Sequence, residues 1–283
     1  MINISNGITY STKVFSGGEQ HIQLNIDNAI EKDYQVSVVA TDLTTSDLVT
    51  LGLILNALEN EMSSLPHLVL PYFPYSRQDR VCAPGQANSL LCVAPFLLYS
   101  AGSLETWDMH SNMGIARLRE YTNTISISSS SIISTCPELV ELIKDESTIL
   151  ACPDKGAISR VMAVADKYNK PVIYFDKVRD PFNGNITGYE ALSKEDLSGK
   201  TAVIIDDICD GGYTFILLAK QLIIQGAREI VLYITHGIFS KGVDILFNSG
   251  INKIYTTNSF QKQDPRVNTI HFLEQYLEST NCD

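Results

Sequence analysis

Thr201-Ala-Val-Ile-Ile-Asp-Asp-Ile-Cys-Asp-Gly-Gly-Tyr-Thr-Phe215 runs from an apolar strand through an acidic, glycine-containing turn into a helix. Val203 to Ile205 read as a buried parallel strand, and Phe215 onward as an amphipathic helix. The turn from Asp210 to Thr214 therefore presents backbone N–H groups at a helix N-terminus, where anions are stabilised. Asp206 and Asp207, at the carboxyl end of the strand, can accept hydrogen bonds from vicinal hydroxyls or hold a hydrated divalent cation. Gly211 and Gly212 allow a phosphate to approach the backbone closely. Acids for hydroxyls beside N–H groups for an anion suit a phosphorylated sugar.

Working outward, apolar strand-like and helical stretches alternate along the chain, the mark of an α/β protein with doubly wound sheets. The first series is strand at Val36 to Thr41, helix at Thr45 to Glu59, strand at His67 to Pro71, helix at Asn88 to Ser100 and strand at Leu104 to Asp108. A second series runs through helix Cys136 to Ile143, strand Thr148 to Cys152, helix Ala157 to Tyr168 and strand Val172 to Phe175. It continues with strand Ala202 to Ile205, helix Phe215 to Gln225 and strand Ile230 to Thr235. Two tandem domains are expected, 1–130 and 131–283. Between them, Thr124 to Ile133 reads either as a serine-rich linker or, from its alternating isoleucines, as an interdomain strand. The tail from Arg266 to Glu278 reads as a short extended piece followed by a helix.

Composition narrows the function classes. With 283 residues, 45% of them hydrophobic, the chain can bury two cores of ordinary size. A net charge of −11 disfavours nucleic acid and anionic membrane as partners. No apolar run approaches the roughly 20 residues of a membrane span, and the polar opening lacks a signal-peptide pattern, so a cytoplasmic protein is expected. Cys82, Cys92, Cys136, Cys152, Cys209 and Cys282 form no C-x-x-C pair and are expected to be thiols. Anionic substrates must then be met locally, by Arg77, Arg80, Lys177 and Arg179 in loop-like segments.

Three further segments, Phe15-Ser-Gly-Gly-Glu19, Tyr72-Phe-Pro-Tyr-Ser-Arg-Gln-Asp-Arg80 and Asp108-Met-His110, occur in that order before the acidic turn. The turn alone resembles the phosphoribosyl pyrophosphate motif shared by type I phosphoribosyltransferases and ribose-phosphate pyrophosphokinases. With the other three, nearly the whole chain resembles the pyrophosphokinase family. The resemblance implies two tandem doubly wound parallel-sheet domains of the type I phosphoribosyltransferase kind, with ATP on the first and ribose phosphate on the second. It implies transfer of the β,γ-diphosphate of ATP to ribose 5-phosphate, with Mg2+ as cofactor and a homo-oligomer, at least a dimer, as the assembly.

By the same resemblance, Phe15, Glu19, Arg77, Gln78, Asp79 and His110 bind ATP, and His110 and Asp154 hold the metal. Asp206, Asp207, Asp210, Gly211, Gly212, Tyr213 and Thr214 bind the ribose phosphate. Lys177 and Arg179 stabilise the transferring phosphate from a catalytic loop that includes Asp180-Pro-Phe-Asn-Gly-Asn-Ile-Thr-Gly188. His236 to Ser240 is expected to be a turn beside the sugar, and Thr256 to Ser259 sugar contacts. Tyr213 stands where many members have glycine. It either points outward or walls the 5′-substituent, which leaves ribose 5-phosphate and an extended sugar such as ADP-ribose both open as acceptors. The chain also begins about a helix short of many members and lacks a Gln-x-Gln-Gly-Phe-Phe stretch after His110. A phosphoribosyltransferase and a non-catalytic regulatory paralogue are the rival readings.

Overall fold

A computed structural model of the protein describes residues 1–26, 33–179, 186–192, 195–260 and 264–273, without the side chains of 177–179 and 186–187. The chain divides into two compact units, Met1–Ile127 and Ser128–Asp283.

In the first unit, β1 (Ile2–Ile4), β4 (Ser37–Ala40), β5 (His67–Val69), β6 (Ser103–Trp107) and β7 (Asn123–Ile127) form a sheet in the order β1-β4-β5-β6-β7. All neighbours are parallel except β1 and β4. Helices α1 (Thr45–Glu61), α2 (Ser89–Leu98) and α3 (Asn112–Leu118) connect successive parallel strands. α1 starts where the sequence supplies a capping box: Asp47 N donates to Thr44 Oγ1 (3.3 Å) and Thr44 N to Asp47 Oδ2 (2.8 Å). Its Leu51, Ile54, Leu55 and Leu58 recur at helical spacing and are fully buried against Val38, Leu68 and Leu104. Each such side chain contributes about 1.5–3 kcal/mol of burial. A separate hairpin, β2 (Thr9–Val14) with β3 (Gln20–Asn25), completes the unit.

The second unit carries a seven-stranded sheet in the order β10-β9-β8-β11-β12-β13-β14. Its strands are β8 (Thr148–Cys152), β9 (Val172–Arg179), β10 (Ile186–Ala191), β11 (Thr201–Cys209), β12 (Glu229–Gly237), β13 (Lys253–Thr257) and β14 (Asn268–Ile270). Only the β9–β10 pair is antiparallel. β11 is central, and its Ala202, Val203, Ile204 and Ile205 have no exposed surface, as expected of a strand covered on both faces. Helices α4 (Ser129–Ile133), α5 (Pro137–Lys144), α6 (Ile158–Tyr168), α7 (Tyr213–Ile224) and α8 (Asp244–Phe247) accompany this sheet.

The segment from Thr124 to Ile133 proves to be neither a loose linker nor a bridging strand. Its isoleucine alternation belongs to β7, at the edge of the first sheet, and its serines open α4. Ser128 caps that helix by accepting from Ser131 N (3.2 Å), and Ser134 Oγ donates back to Ser130 O (2.6 Å). The tail has its extended piece as β14; most of the expected terminal helix, 274–278, lies outside the described residues. Among the described residues no helix is long and apolar enough to cross a membrane.

Candidate active site

In the second unit the chain leaves β8 for β9 on one side and later returns to lay β11 on the other, so strand order reverses between β8 and β11. Ligands of open α/β sheets bind in the crevice outside the carboxyl ends of the strands at such a point. β8 pairs with β11 only from Thr201↔Thr148 to Ile204↔Ala151, whereas β12 accompanies β11 as far as Cys209↔Gly237. Asp206 and Asp207 thus lie within β11, just past the last β8 partner. At its carboxyl end the strand runs four residues past the expected Ile205, to Cys209, because β12 continues to support it.

The two acids are not left to repel each other. Arg160, from the first turn of α6, reaches both: Nη1 lies 3.2 Å from Asp206 Oδ1 and Nη2 lies 3.7 Å from Asp207 Oδ1. Asp207 N also donates to Asp206 Oδ1 (2.9 Å). The three side chains are 7%, 15% and 6% exposed for Arg160, Asp206 and Asp207 respectively. Burial and then the Asp207 charge push the Asp206 carboxyl well above the usual carboxylate range, and Arg160 opposes that rise. Asp154 is close enough to add to the repulsion. Burial likewise pushes the flanking thiols of Cys152 and Cys209 up to about 12, which leaves them unreactive.

Asp210 to Thr214 forms the expected turn into a helix. Gly212, at φ 75°, is the residue before α7, and its carbonyl accepts from Phe215 N and Ile216 N, both at 3.1 Å. The turn is braced by its neighbour: Ile238 N and Phe239 N donate to Cys209 O (2.9 and 3.0 Å), and Ser240 N to Asp210 O (3.1 Å). The two glycines differ in kind. A Cβ on Gly212 would meet Leu246 Cδ2 at 2.9 Å, whereas one on Gly211 would meet only Lys241 Cγ at 3.8 Å. Gly212 is required by the fold, whereas a side chain at Gly211 would meet no steric obstacle. Gly212→Ala is therefore expected to lower stability by about 1–3 kcal/mol through positive φ and crowding, and Gly211→Ala to leave it nearly unchanged. Thermal unfolding of the two variants checks this; equal melting temperatures would contradict it. Tyr213 opens α7 with its side chain 55% exposed.

Other segments singled out in the sequence have structural duties. Asp154 caps the 3-10 turn Lys155–Ala157, accepting from Gly156 N (2.8 Å) and Ala157 N (3.3 Å). Thr257 Oγ1 donates to Thr235 O (2.6 Å), and the buried His236 Nδ1 lies 3.0 Å from Ser259 Oγ, so both segments knit the ends of β12 and β13. Lys177 and Arg179 lie on β9, paired in register with Tyr189 and Ile186 of β10, and the loop residues 180–185 between them lie outside the described residues.

In the first unit, Phe15-Ser-Gly-Gly-Glu19 is the tip of the β2–β3 hairpin, closed by Phe15 N donating to Glu19 O (2.9 Å) and Gly18 N to Phe15 O (2.8 Å). Phe15 is 45% exposed and Lys13 Nζ sits 5.3 Å from its ring centre. Arg77 and Gln78 are exposed in the loop after β5, and Gln78 Oε1 accepts from Ser89 Oγ (2.6 Å). Asp79 is buried and accepts from Ser111 Oγ, the cap of α3, which ties this loop to the exposed His110. The structure thus brings Gln78, Asp79 and His110 into one braced loop region, with Phe15 and Glu19 on the hairpin.

A phosphoribosyl transferase domain model matches residues 130–264. The chain is 30% identical over 266 residues to a ribose-phosphate pyrophosphokinase of Sulfurisphaera tokodaii, spanning 91% of this chain and 86% of that one. The chain belongs to the ribose-phosphate pyrophosphokinase family. Another pyrophosphokinase, from Pyrococcus abyssi, is 27% identical over 95% of this chain and 90% of its own length. The crystal structure of phosphoribosylpyrophosphate synthetase from Mycobacterium smegmatis superposes over 96% of this chain and 90% of that one with a TM-score of 0.78, at 20% identity. The architecture of this pyrophosphokinase is therefore the two-unit α/β fold, with parallel-dominated sheets in tandem.

Sequence reasoning missed Arg160. A signal for it existed: Arg160 shares the buried face of α6 with Val161, Val164 and Ala165, an unusual place for a cation. The first turn of a helix is also an unfavourable site for positive charge unless an acid compensates.

Proposed function

We propose that the protein transfers the β,γ-diphosphate of ATP to the C1 hydroxyl of ribose 5-phosphate, giving phosphoribosyl pyrophosphate and AMP, in the cytoplasm, for nucleotide or NAD synthesis. The observation that carries this reading is the adjacent Asp206–Asp207 pair at the strand-order reversal, followed by the Gly211–Thr214 turn into α7. In this reading the two carboxylates accept the vicinal hydroxyls of the sugar, and the N–H groups of the turn receive its 5′-phosphate. Asp210 borders the same turn. Arg77, Gln78, Asp79, Phe15, Glu19 and His110 receive ATP, the phenyl ring by stacking and Arg77 by its fork on phosphate or adenine. Lys177 and Arg179 neutralise charge on the migrating diphosphate.

Magnesium fits the residues present. Among the described residues no three ligating side chains converge, and a hard cation carried mostly by phosphates and waters needs only one or two protein ligands. His110 of the first unit or Asp154 of the second would supply such a ligand, and when bound the ion supplies charge neutralisation on the transferring phosphates. The assembly in this reading is a homo-oligomer, at least a dimer.

Two rivals are disfavoured. A phosphoribosyltransferase would use the acidic turn but has no need of the first unit with Arg77 and His110, and the pyrophosphokinase relatives span both units. A non-catalytic paralogue has no need of Lys177 and Arg179. AMP release from ATP, measured with ribose 5-phosphate and with ADP-ribose as acceptors, tests the reading; AMP is expected with ribose 5-phosphate, and no release with either would overturn it. The same assay addresses Tyr213, which is 55% exposed at the start of α7. Tyr213→Gly is expected to change the KM for ribose 5-phosphate by less than about threefold. If the ring instead stacked on an extended sugar, the parent would use ADP-ribose well and the variant would lose about 1–3 kcal/mol of its apparent binding.

A further inference from the structure

Buried cations with exposed surface below a tenth are rare unless paired, and a first-turn position on a helix makes a cation less favourable still. Arg160 is such a residue: its side chain is 7% exposed and it is the third residue of α6. The opposing helix term is offset by the acids of β11, with Nη1 on Asp206 Oδ1 at 3.2 Å and Nη2 by Asp207 Oδ1 at 3.7 Å. A guanidinium is planar and presents its two Nη groups at a fixed angle and spacing, so contact with two carboxylates at once fixes the position of one relative to the other. Asp206 Oδ1 is further held by Asp207 N at 2.9 Å. Asp206 Oδ1 is thus hydrogen-bonded twice, and Asp207 Oδ1 is ion-paired with the same guanidinium at longer range.

We infer that Arg160 is a positioning residue for the acceptor sugar: its fork sets the spacing and plane of the Asp206 and Asp207 carboxylates so that both meet adjacent hydroxyls of one pentose. The inference rests on the proposed reading of the Asp206–Asp207 pair as the hydroxyl acceptors. Being buried, Arg160 acts through the two acids and not on a phosphate. Its contacts with these two acids make the sugar side of the reaction the place where its loss should show most. A lysine at the same place keeps the charge but offers a single point, so it neutralises the acids without fixing their relative geometry.

The test is steady-state kinetics on Arg160→Gln and Arg160→Lys, with circular dichroism to confirm folding and calorimetry of ribose 5-phosphate binding without ATP. Arg160→Gln is expected to raise the KM for ribose 5-phosphate by roughly thirtyfold or more with the KM for ATP within about threefold of the parent. Arg160→Lys should recover the melting temperature but only a minor part of the sugar KM. Where Arg160→Gln does not fold, Arg160→Lys alone decides, by the same split between the two substrates. An equal rise for both substrates, no rise for either, or full recovery of the sugar KM by lysine would overturn the inference. A parent protein that binds ribose 5-phosphate yet releases no AMP overturns the proposed reaction while Arg160 is still judged on the ratio of binding constants. A parent that does not bind the sugar overturns both.

Discussion

Lys177→Ala is expected to lower turnover by on the order of a hundredfold or more while ATP binding changes little, because in the proposed reading its charge is needed most when the diphosphate is in flight between oxygens. Diphosphoryl transfer asks little covalent chemistry of the protein; in-line placement and neutralisation of the moving charge supply most of the acceleration. Lys177 lies on β9, whose antiparallel partner β10 continues the sheet, so the residue is carried on an ordered strand and replacement by alanine should leave the backbone pairing intact. Arg179→Ala should behave similarly. The two losses should be less than additive if both residues act on one group, as proposed. Single-turnover kinetics with saturating ATP reads this directly, and an unchanged rate would remove Lys177 from the mechanism.

Asp207→Asn should separate function from stability in the opposite sense to an ordinary core substitution. Two adjacent acids share one guanidinium, so removing one negative charge relieves repulsion while Asp206 still pairs with Arg160. The melting temperature should therefore stay level or rise. Catalytic efficiency toward ribose 5-phosphate should fall by on the order of a hundredfold, because in the proposed reading the lost carboxylate is one of the two that receive the sugar hydroxyls. Arg160→Ala should do the reverse for stability. It strands two buried carboxylates without their counter-charge, a class of change that costs about 3–5 kcal/mol. A drop of several degrees for Asp207→Asn, with efficiency retained, would show that the pair serves only the fold.

Much of this was legible in the sequence, and the exceptions have physical reasons. Apolar runs at Thr148 to Cys152 and Ile230 to Thr235, and the helical spacing of Thr45 to Glu59, announced β8, β12 and α1 because each is buried along a continuous face. β11 was read short, since the carboxylates at its end look like a loop until β12 is known to run beside them. The β2–β3 hairpin went unread beyond its tip: Thr9–Val14 is almost wholly exposed and carries little of the inside-outside contrast from which strands are recognised. Gly212 was expected to serve phosphate approach alone, and its packing against Leu246 could come only from the placement of α8. Asp154 and Asp79 were assigned to ligands, and the structure adds that they cap a turn and hold the Ser111 cap. Arg160 lies 46 residues before Asp206 in the chain, a separation across which no local pattern points from one to the other.

The most direct measurement is 31P nuclear magnetic resonance of a reaction holding only the protein, Mg2+, ATP and ribose 5-phosphate. Transfer of the intact β,γ-diphosphate predicts AMP and a new C1-linked diphosphate appearing in equal amounts, with both phosphorus signals of the diphosphate coupled to each other and no ADP formed. Accumulation of ADP, or of inorganic diphosphate without a sugar-linked product, would contradict it.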